Sequence, residues 1–266
     1  MMRFADQVIW ITGASSGIGE ALAYAFAKEG AHLILSGRRD ADLRRVASAC
    51  ADRTGQILCL PFDMLDDTGR QAAVDKVLSR FGYIDMLVNN AGVSQRSLGK
   101  NTDISVDRAI MELDYFAVID LTKRVLPHML ERKSGYLVAT SSVAGKYGVP
   151  MRTAYSASKH ALHGFFDALR AELTASNIDV SLLVIAGVQS QVSVNALTGD
   201  GSTWGKMDSI QSKGLTAEEC ARRVLNGLAK KEPEINVGEG KAMTGLRLKR
   251  FAPKLFNRMI AKTRTS

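Results

Sequence analysis

Tyr155 and Lys159 stand four residues apart in Tyr-Ser-Ala-Ser-Lys, a spacing that on a helix puts both side chains on one face within mutual reach. An unperturbed tyrosine titrates near ~10, too high for ready proton exchange at neutral pH, and an adjacent ammonium favours its phenolate. So paired, the phenol can give a proton to a carbonyl oxygen or take one from an alcohol. Near the N-terminus, Thr12-Gly-Ala-Ser-Ser-Gly-Ile-Gly19 joins an apolar run to a helical pattern. Gly13 permits a sharp turn, Gly17 lets a pyrophosphate approach the backbone, and Gly19 lets the helix pack close to the sheet. The backbone N–H groups there, those of Ser15, Ser16 and Ile18 included, favour a bound phosphate together with the positive end of the helix dipole. The order G-x-x-x-G-x-G differs from the common G-x-G-x-x-G dinucleotide fingerprint.

The second apolar run bears on which dinucleotide. An NAD site places an acid at the end of the second strand to bind the ribose hydroxyls. Here that strand ends Leu35-Ser-Gly-Arg-Arg39, with Gly37 where the acid would stand. A carboxylate repels a 2′-phosphate, whereas a guanidinium fork binds one through charge-assisted hydrogen bonds. NADP(H) is therefore the expected cofactor, with Arg38 its main contact and Arg39 beside it.

Hydrophobic patterning supplies the scaffold. Apolar runs at 7–12, 32–36, 56–62, 85–89, 135–141, 178–185 and 234–237 read as strands. Helical patterns lie at about 17–30, 40–53, 67–80, 104–131, 154–175 and 217–229. The strands are nearly continuous in Val, Ile and Leu, as expected when both faces are covered, and the alternation predicts an α/β fold with a doubly wound parallel sheet. The stretch 187–214 breaks the alternation; rich in Ser, Gly, Asn and Gln with an isolated Trp204, it follows a strand's carboxyl end and reads as a substrate loop or lid.

Composition excludes other classes. With 266 residues, 46% apolar content and 5 Pro against 23 Gly, the chain suits one globular domain rather than a disordered, collagen-like or coiled-coil protein. No apolar run approaches the roughly 20 residues of a membrane-spanning helix, and the first strand begins too soon after Met1 for a signal peptide. Cys50, Cys59 and Cys220 are too scattered for a disulfide framework, and with His32, His128, His160 and His163 they show no metal-ligand spacing, so no metal is expected. A reducing, cytoplasmic location fits best. The net charge of +8 is local: residues 1–240 balance 27 bases against 27 acids, and 241–266 hold Lys241, Arg247, Lys249, Arg250, Lys254, Arg258, Lys262 and Arg264 with no acid. The basic balance belongs to a tail, so nucleic acid is not the expected partner.

Taken together, the glycine turn, Asn89-Asn-Ala-Gly92 after the fourth strand, Ser141-Ser142 ending the fifth and Tyr155-Ser-Ala-Ser-Lys159 resemble the short-chain dehydrogenase/reductases over nearly the whole domain. The resemblance implies a single-domain Rossmann fold of seven strands with helices on both faces, covering 1–240. It implies Ser142, 13 residues before Tyr155, as the catalytic serine that hydrogen-bonds the substrate oxygen. Asp63 of Phe62-Asp-Met64 would contact adenine beside Met64, and Asn90, Ala91 and Gly92 would line the adenosine ribose. Lys159 would also bind the nicotinamide ribose. The chain departs from the family's pattern twice. Asp114, 13 residues before Leu126-Pro127, replaces an asparagine that helps hold a proton-relay water. An ionised aspartate there would pair with Lys159, opposing the lowering of the tyrosine pKa and slowing the enzyme. After the sixth strand, Ala186-Gly-Val-Gln-Ser-Gln191 replaces the family's Pro-Gly and its later threonine, leaving Val188 and Gln191 to meet the nicotinamide end.

Residues 193–202 and 205–208 resemble a narrower branch, the seven-B members akin to hydroxysteroid dehydrogenases. That implies a hydrophobic ketone or secondary alcohol, with Val149, Met151, Val192, Leu197, Trp204 and Met207 as candidates for an apolar pocket. The family also implies a homodimer or homotetramer built through the helices at about 104–131 and 154–175. In the tail, Leu248, Phe251, Leu255 and Met259 recur at helical spacing among cations, with Pro253 dividing two short helices. Residues 244–262 thus read either as a peripheral contact with an anionic membrane or as a helix packed on the domain. A low-turnover, cofactor-binding interaction protein on the same fold is the second functional reading, motivated by Asp114, Ala186 and Gln191.

Overall fold

The computed structural model describes residues 2–263; Arg264 of the basic tail lies outside them. Seven strands, β1 (Val8–Thr12), β2 (His32–Gly37), β3 (Ile57–Pro61), β4 (Met86–Asn89), β5 (Gly135–Ser142), β6 (Ile178–Ile185) and β7 (Glu234–Val237), form one sheet in the order β3-β2-β1-β4-β5-β6-β7. Every pairing is parallel, with Trp10 opposite Ile34 on one side and Leu87 on the other. The strand order reverses between β1 and β4, which opens a crevice at the carboxyl ends of those strands.

Alternation along each strand divides the core in two. Ile9, Ile11, Leu33 and Leu35 face a layer made by α1 (Gly17–Lys28), α2 (Asp40–Cys50) and, later in the chain, a helix at Ala217–Ala229. Val8, Trp10, Ile34 and Leu87 face the other layer, made by α3 (Asp67–Phe81), α5 (Ala117–Arg132) and α6 (Thr153–Glu172), while α4 (Ile104–Met111) packs Val106 and Ile110 against Ala154 at the start of α6. The helical pattern at 104–131 is one run interrupted by a wide π turn at Glu112–Phe116, and such single-turn insertions occur often at functional sites.

The stretch 187–214 holds turns, isolated bridges and the short helix α7 (Ser209–Ser212) before α8 (Ala217–Ala229). It is tied to the segment after β4: Leu197 N–H donates to Ser94 O at 2.9 Å and Arg96 N–H to Leu197 O at 2.8 Å. The tail forms α9 (Gly240–Phe251) and α10 (Pro253–Ile260), broken where Pro253 starts a new helix. Both pack on the domain. Phe256, 2% exposed, meets the Tyr147 ring at 4.9 Å, and Leu246, Leu248 and Ile260 pack beside it. The stripe read from spacing is thereby divided: Leu248 turns inward, whereas Phe251, Leu255 and Met259 are exposed. Among the described residues no helix is long and apolar enough to cross a membrane, and no cluster of His, Cys, Asp and Glu could hold a metal ion.

Candidate active site

The glycine turn closes on the loop after β4. Gly13 has φ +66°, and a Cβ there would lie 2.9 Å from Ala91 Cα. A Cβ on Gly19 would lie 2.6 Å from Asn90 Nδ2 and nearer still to Gly13 O. The close packing inferred for Gly19 is thus against the turn itself. Thr12 holds the junction, its Oγ1 accepting the N–H groups of Asn90 at 2.9 Å and Ala91 at 3.0 Å. Asn90 Nδ2 donates back to Thr12 O at 3.1 Å. Ser16 precedes α1 in an extended conformation, and no side chain caps the helix's first turn. Its N–H groups, Ile18 among them, are left for a ligand, and the cradle that a Cβ would fill suits a dinucleotide phosphate.

Gly17, at φ +59°, faces the far side of the cradle, where a Cβ would lie 3.2 Å from Ser190 Cβ. Ser190 Oγ is buried without a hydrogen-bond partner among the described residues. Gln191, one residue on, is exposed, and Ser190 is the residue set against the turn. Val188 is buried and bridges to Leu215, where Gln189 N–H donates to Leu215 O at 2.9 Å. No motif could have found Ser190, because its place depends on how the loop folds back over α1.

At the end of β2 the two arginines part ways. Arg39 pairs with Asp42 in the first turn of α2. Arg38 is exposed and makes no hydrogen bond or ion pair among the described residues. Gly37 faces the glycine turn, where a Cβ would lie 3.5 Å from Ser15 Oγ, so a longer acid would have reached toward a bound ribose. Ser15 O accepts Arg45 Nη2 at 3.2 Å. Asp63 accepts the Leu65 N–H at 3.0 Å in a local turn, and Met64 is buried beside it.

The candidate acid–base pair, Tyr155 and Lys159, sits at the start of α6. Lys159 Nζ lies 5.6 Å from the Tyr155 ring centre, donates to Thr140 O at 3.1 Å, and lies 3.3 Å from Asp114 Oδ2. Tyr155 is partly buried, whereas Lys159 is 5% exposed and Asp114 wholly buried. Asp114 stands at the middle of the π turn, where Oδ1 accepts the Val93 N–H at 2.8 Å; Gly92 leaves room, since a Cβ there would come within 3.0 Å of that oxygen. Burial pushes the Asp114 carboxyl up from its ordinary range, against the pull of Lys159. Burial would lower Lys159, but Asp114 and the Tyr155 phenol together outweigh it and hold the ammonium above its usual value.

Ser141 and Ser142 point to opposite faces of β5, as strand alternation requires. Ser142 Oγ accepts the Ala144 N–H at 3.2 Å, which leaves its own proton to be donated. Ser141 Oγ turns into α6 to meet His163 Nε2 at 3.0 Å, and burial pushes His163 down to about 4. A further cluster went unread in the sequence: Arg96 and Arg152 both pair with Asp208 of the 187–214 loop.

A short chain dehydrogenase family model matches residues 7–200. The mouse (Mus musculus) dehydrogenase/reductase SDR family member 7B is 40% identical over 260 residues, 96% of this chain and 80% of its own. The human (Homo sapiens) family member 7 is 44% identical over 239 residues, 88% of this chain and 70% of its own. A short-chain dehydrogenase/reductase from Burkholderia phymatum, solved with NAD, superposes with a TM-score of 0.84 at 23% identity over 96% of each chain, a likeness of fold. A family match over most of the chain, these relatives and the cradle-plus-Tyr155–Lys159 geometry make this chain a member of the short-chain dehydrogenase/reductase family.

Proposed function

We propose that this member of an oxidoreductase family is NADP(H)-dependent and moves hydride between the nicotinamide and a carbonyl or secondary alcohol of a largely apolar substrate. The observation that carries the reading is the buried Lys159 ammonium, 5.6 Å from the Tyr155 ring and fixed by Asp114 and Thr140 O. When bound, the cofactor supplies or accepts hydride. Tyr155 then moves a proton at the substrate oxygen, Lys159 holds a positive charge beside the phenol, and Ser142 Oγ donates a hydrogen bond to the same oxygen. The glycine turn, Ser190, Asn90, Ala91 and Gly92 would hold the phosphates and ribose. The preference for NADP(H) rests on Arg38, exposed at the end of β2 without a partner among the described residues, and on Gly37. An apolar substrate body is supported by Val149, Met151, Val192, Leu197 and Trp204, which stay partly exposed around the Tyr155 end of α6 and in the loop 187–214.

The test is NADPH consumption by the purified protein against a panel of hydrophobic aldehydes, ketones and diketones, with Tyr155→Phe alongside. Turnover that Tyr155→Phe abolishes bears the reading out. NADPH binding without turnover across the panel would favour the second reading, a low-turnover cofactor-binding protein, for which the Asp114–Lys159 ion pair speaks.

The family's habit of assembling makes a homodimer or homotetramer the proposed state, and Ile104, Phe116 and Leu130 present exposed apolar side chains along α4, the π turn and α5. Light scattering on the eluting protein checks it. The exposed Phe251, Leu255 and Met259 among Lys254, Arg258 and Lys262 support peripheral contact with an anionic membrane surface from a reducing cytoplasmic location. Pelleting with anionic vesicles that survives replacement of those three apolar residues by serine would remove that contact.

A further inference from the structure

We infer that Arg152 binds an anionic acceptor group of the substrate, so that the carbonyl compound taken by this site carries a carboxylate or an equivalent anion beside its apolar body. The inference rests on the carbonyl–alcohol reading of the site above.

Three segments meet at the cluster: the loop after β4 brings Arg96, the N-terminus of α6 brings Arg152, and the 187–214 loop brings Asp208. The Arg96 side chain is wholly buried, and Asp208 and Arg152 are 5% and 15% exposed. Arg96 is committed on every side. Its Nε reaches Asp208 Oδ1 at 3.2 Å, Nη2 pairs with Oδ2, and Nη1 donates to Ser94 Oγ at 2.8 Å and Gln95 O at 2.6 Å. Arg152 is underused. Its Nη2 shares the same Asp208 Oδ2 at 2.8 Å, and its Nε–H is buried with no partner among the described residues.

Two guanidinium groups thus meet one carboxylate, which leaves a formal positive charge in the protein interior. An uncompensated buried cation is costly, and an orphaned buried donor adds the desolvation of that group. Burial, then repulsion from Arg96, pulls Arg152 below its ordinary range, as for a charge short of counter-ions. Fastening the loop 187–214 to the segment after β4 does not call for this excess. Arg96 and Asp208 already match one to one, and the backbone pairing of Leu197 with Ser94 and Arg96 holds the loop without Arg152.

The backbone aims Arg152. Met151 sits at φ +61°, in the left-handed region, and Arg152 follows at φ −141°, ψ 41°. Ser97 N–H fixes this bend by donating to Met151 O at 3.2 Å. Departures of this kind persist where the surroundings over-determine them, commonly at ligand sites. Three residues later comes Tyr155, so Arg152 stands at the N-cap of the helix that carries it. A planar guanidinium with an unpartnered Nε–H among the described residues, placed at the N-cap of the helix that carries Tyr155 three residues on, suits a carboxylate presented by the molecule whose carbonyl is reduced.

The test uses NADPH and a set of phenyl oxo acids that differ in the chain between ketone and carboxylate, each against its neutral methyl ester. For at least one spacing the wild-type protein should favour the acid over its ester in kcat/KM by roughly 10- to 100-fold, the worth of a charged hydrogen bond. The preference should appear in KM. Arg152→Met should bring the acid-to-ester ratio near one, and Arg152→Lys should restore part of it, with NADPH affinity reporting that each variant is folded. An acid-to-ester ratio near one at every spacing in the wild type, or a ratio unmoved in Arg152→Met, overturns the proposal. Should no ketone turn over, the oxidoreductase reading fails separately, and calorimetric binding of acid and ester to the NADP-loaded protein decides this one. Binding of an acid but not its ester bears it out, and equal or absent binding overturns it.

Discussion

Lys159 Nζ lies 3.3 Å from Asp114 Oδ2 where neither side chain meets solvent to any extent, so the ammonium that should act on Tyr155 is shared with a carboxylate. The carboxylate opposes the positive potential at the phenol. Asp114→Asn keeps an oxygen for the Val93 N–H and removes the charge. The expected outcome is a rise in kcat of about tenfold at neutral pH, equivalent to about 1.4 kcal/mol of barrier, with NADPH affinity little changed. Burial raises the Asp114 pKa, so as pH falls the wild-type carboxyl protonates first and comes to resemble the amide. The variant-to-wild-type ratio of rates should therefore shrink toward acid pH. A pH–rate profile of both proteins checks this, and a ratio of one at neutral pH would remove Asp114 as a brake.

Most of this site was legible because it rests on local backbone rules. Gly13 and Gly17 adopt positive φ, which only glycine takes cheaply, and Tyr155 and Lys159 share a helix face by spacing alone. The strand runs were equally plain, since burial on both faces writes itself as continuous Val, Ile and Leu. What stayed hidden depends on long-range folding. Ser190 gains its place from the loop crossing α1, and Arg96, Arg152 and Asp208 are 56 residues apart at Arg152–Asp208 and 112 at Arg96–Asp208. The π turn that carries Asp114 shifts the apolar phase by only one residue within a run already helical, too little to set it apart in the pattern. In the tail, spacing found an apolar stripe but could not say which part faces the domain; the break at Pro253 turns α10 so that Phe256 and Ile260 go inward.

His163 gives the fold an acid sensitivity of known sign. Its pKa falls from 6.5 to about 4 because burial penalises the charged ring. The unfolded chain then binds the proton more readily than the folded one, so stability is full above about 6.5 and is lost as pH falls toward 4. The two values correspond to roughly 3 kcal/mol over that window. His163→Gln, which can still face Ser141, should flatten the dependence. Urea denaturation midpoints between these pH values measure it, and parallel curves for both proteins would show that His163 does not titrate across folding.

Arg38 should decide the cofactor. Its guanidinium is exposed and without a partner among the described residues, whereas Arg39 is engaged by Asp42. Removing one charge-assisted contact to a phosphate costs about 1.5–3 kcal/mol, or roughly 10- to 100-fold in affinity. Arg38→Ala should weaken NADPH binding by that amount and leave NADH binding nearly unchanged, while Arg39→Ala should do much less. Titrations of protein-enhanced cofactor fluorescence give all six constants. NADH bound as tightly as NADPH by the wild type, with no change in Arg38→Ala, would assign the chain to NAD.

Phe256 and Phe251 lie five residues apart in the tail and should behave oppositely. Phe256 is 2% exposed and meets the Tyr147 ring at 4.9 Å in a tilted contact, and the Tyr147 hydroxyl donates to Ala242 O at 2.9 Å. Tyr147 follows directly on the short turn that Ser142 caps, so α10 packs behind the active-site end of β5. Truncating a buried phenylalanine costs about 3–5 kcal/mol through lost transfer energy and the cavity left behind. Phe251 is 79% exposed, and truncation there should stay within about 0.5 kcal/mol. Phe256→Ala should therefore lower the melting temperature by several degrees and, by loosening Tyr147, raise KM for carbonyl substrates more than it changes NADPH affinity. Phe251→Ala should change neither. Equal, small effects from both variants would mean that α9 and α10 do not hold to the domain in solution, and the packing of Phe256 on Tyr147 would lose its part in shaping the site.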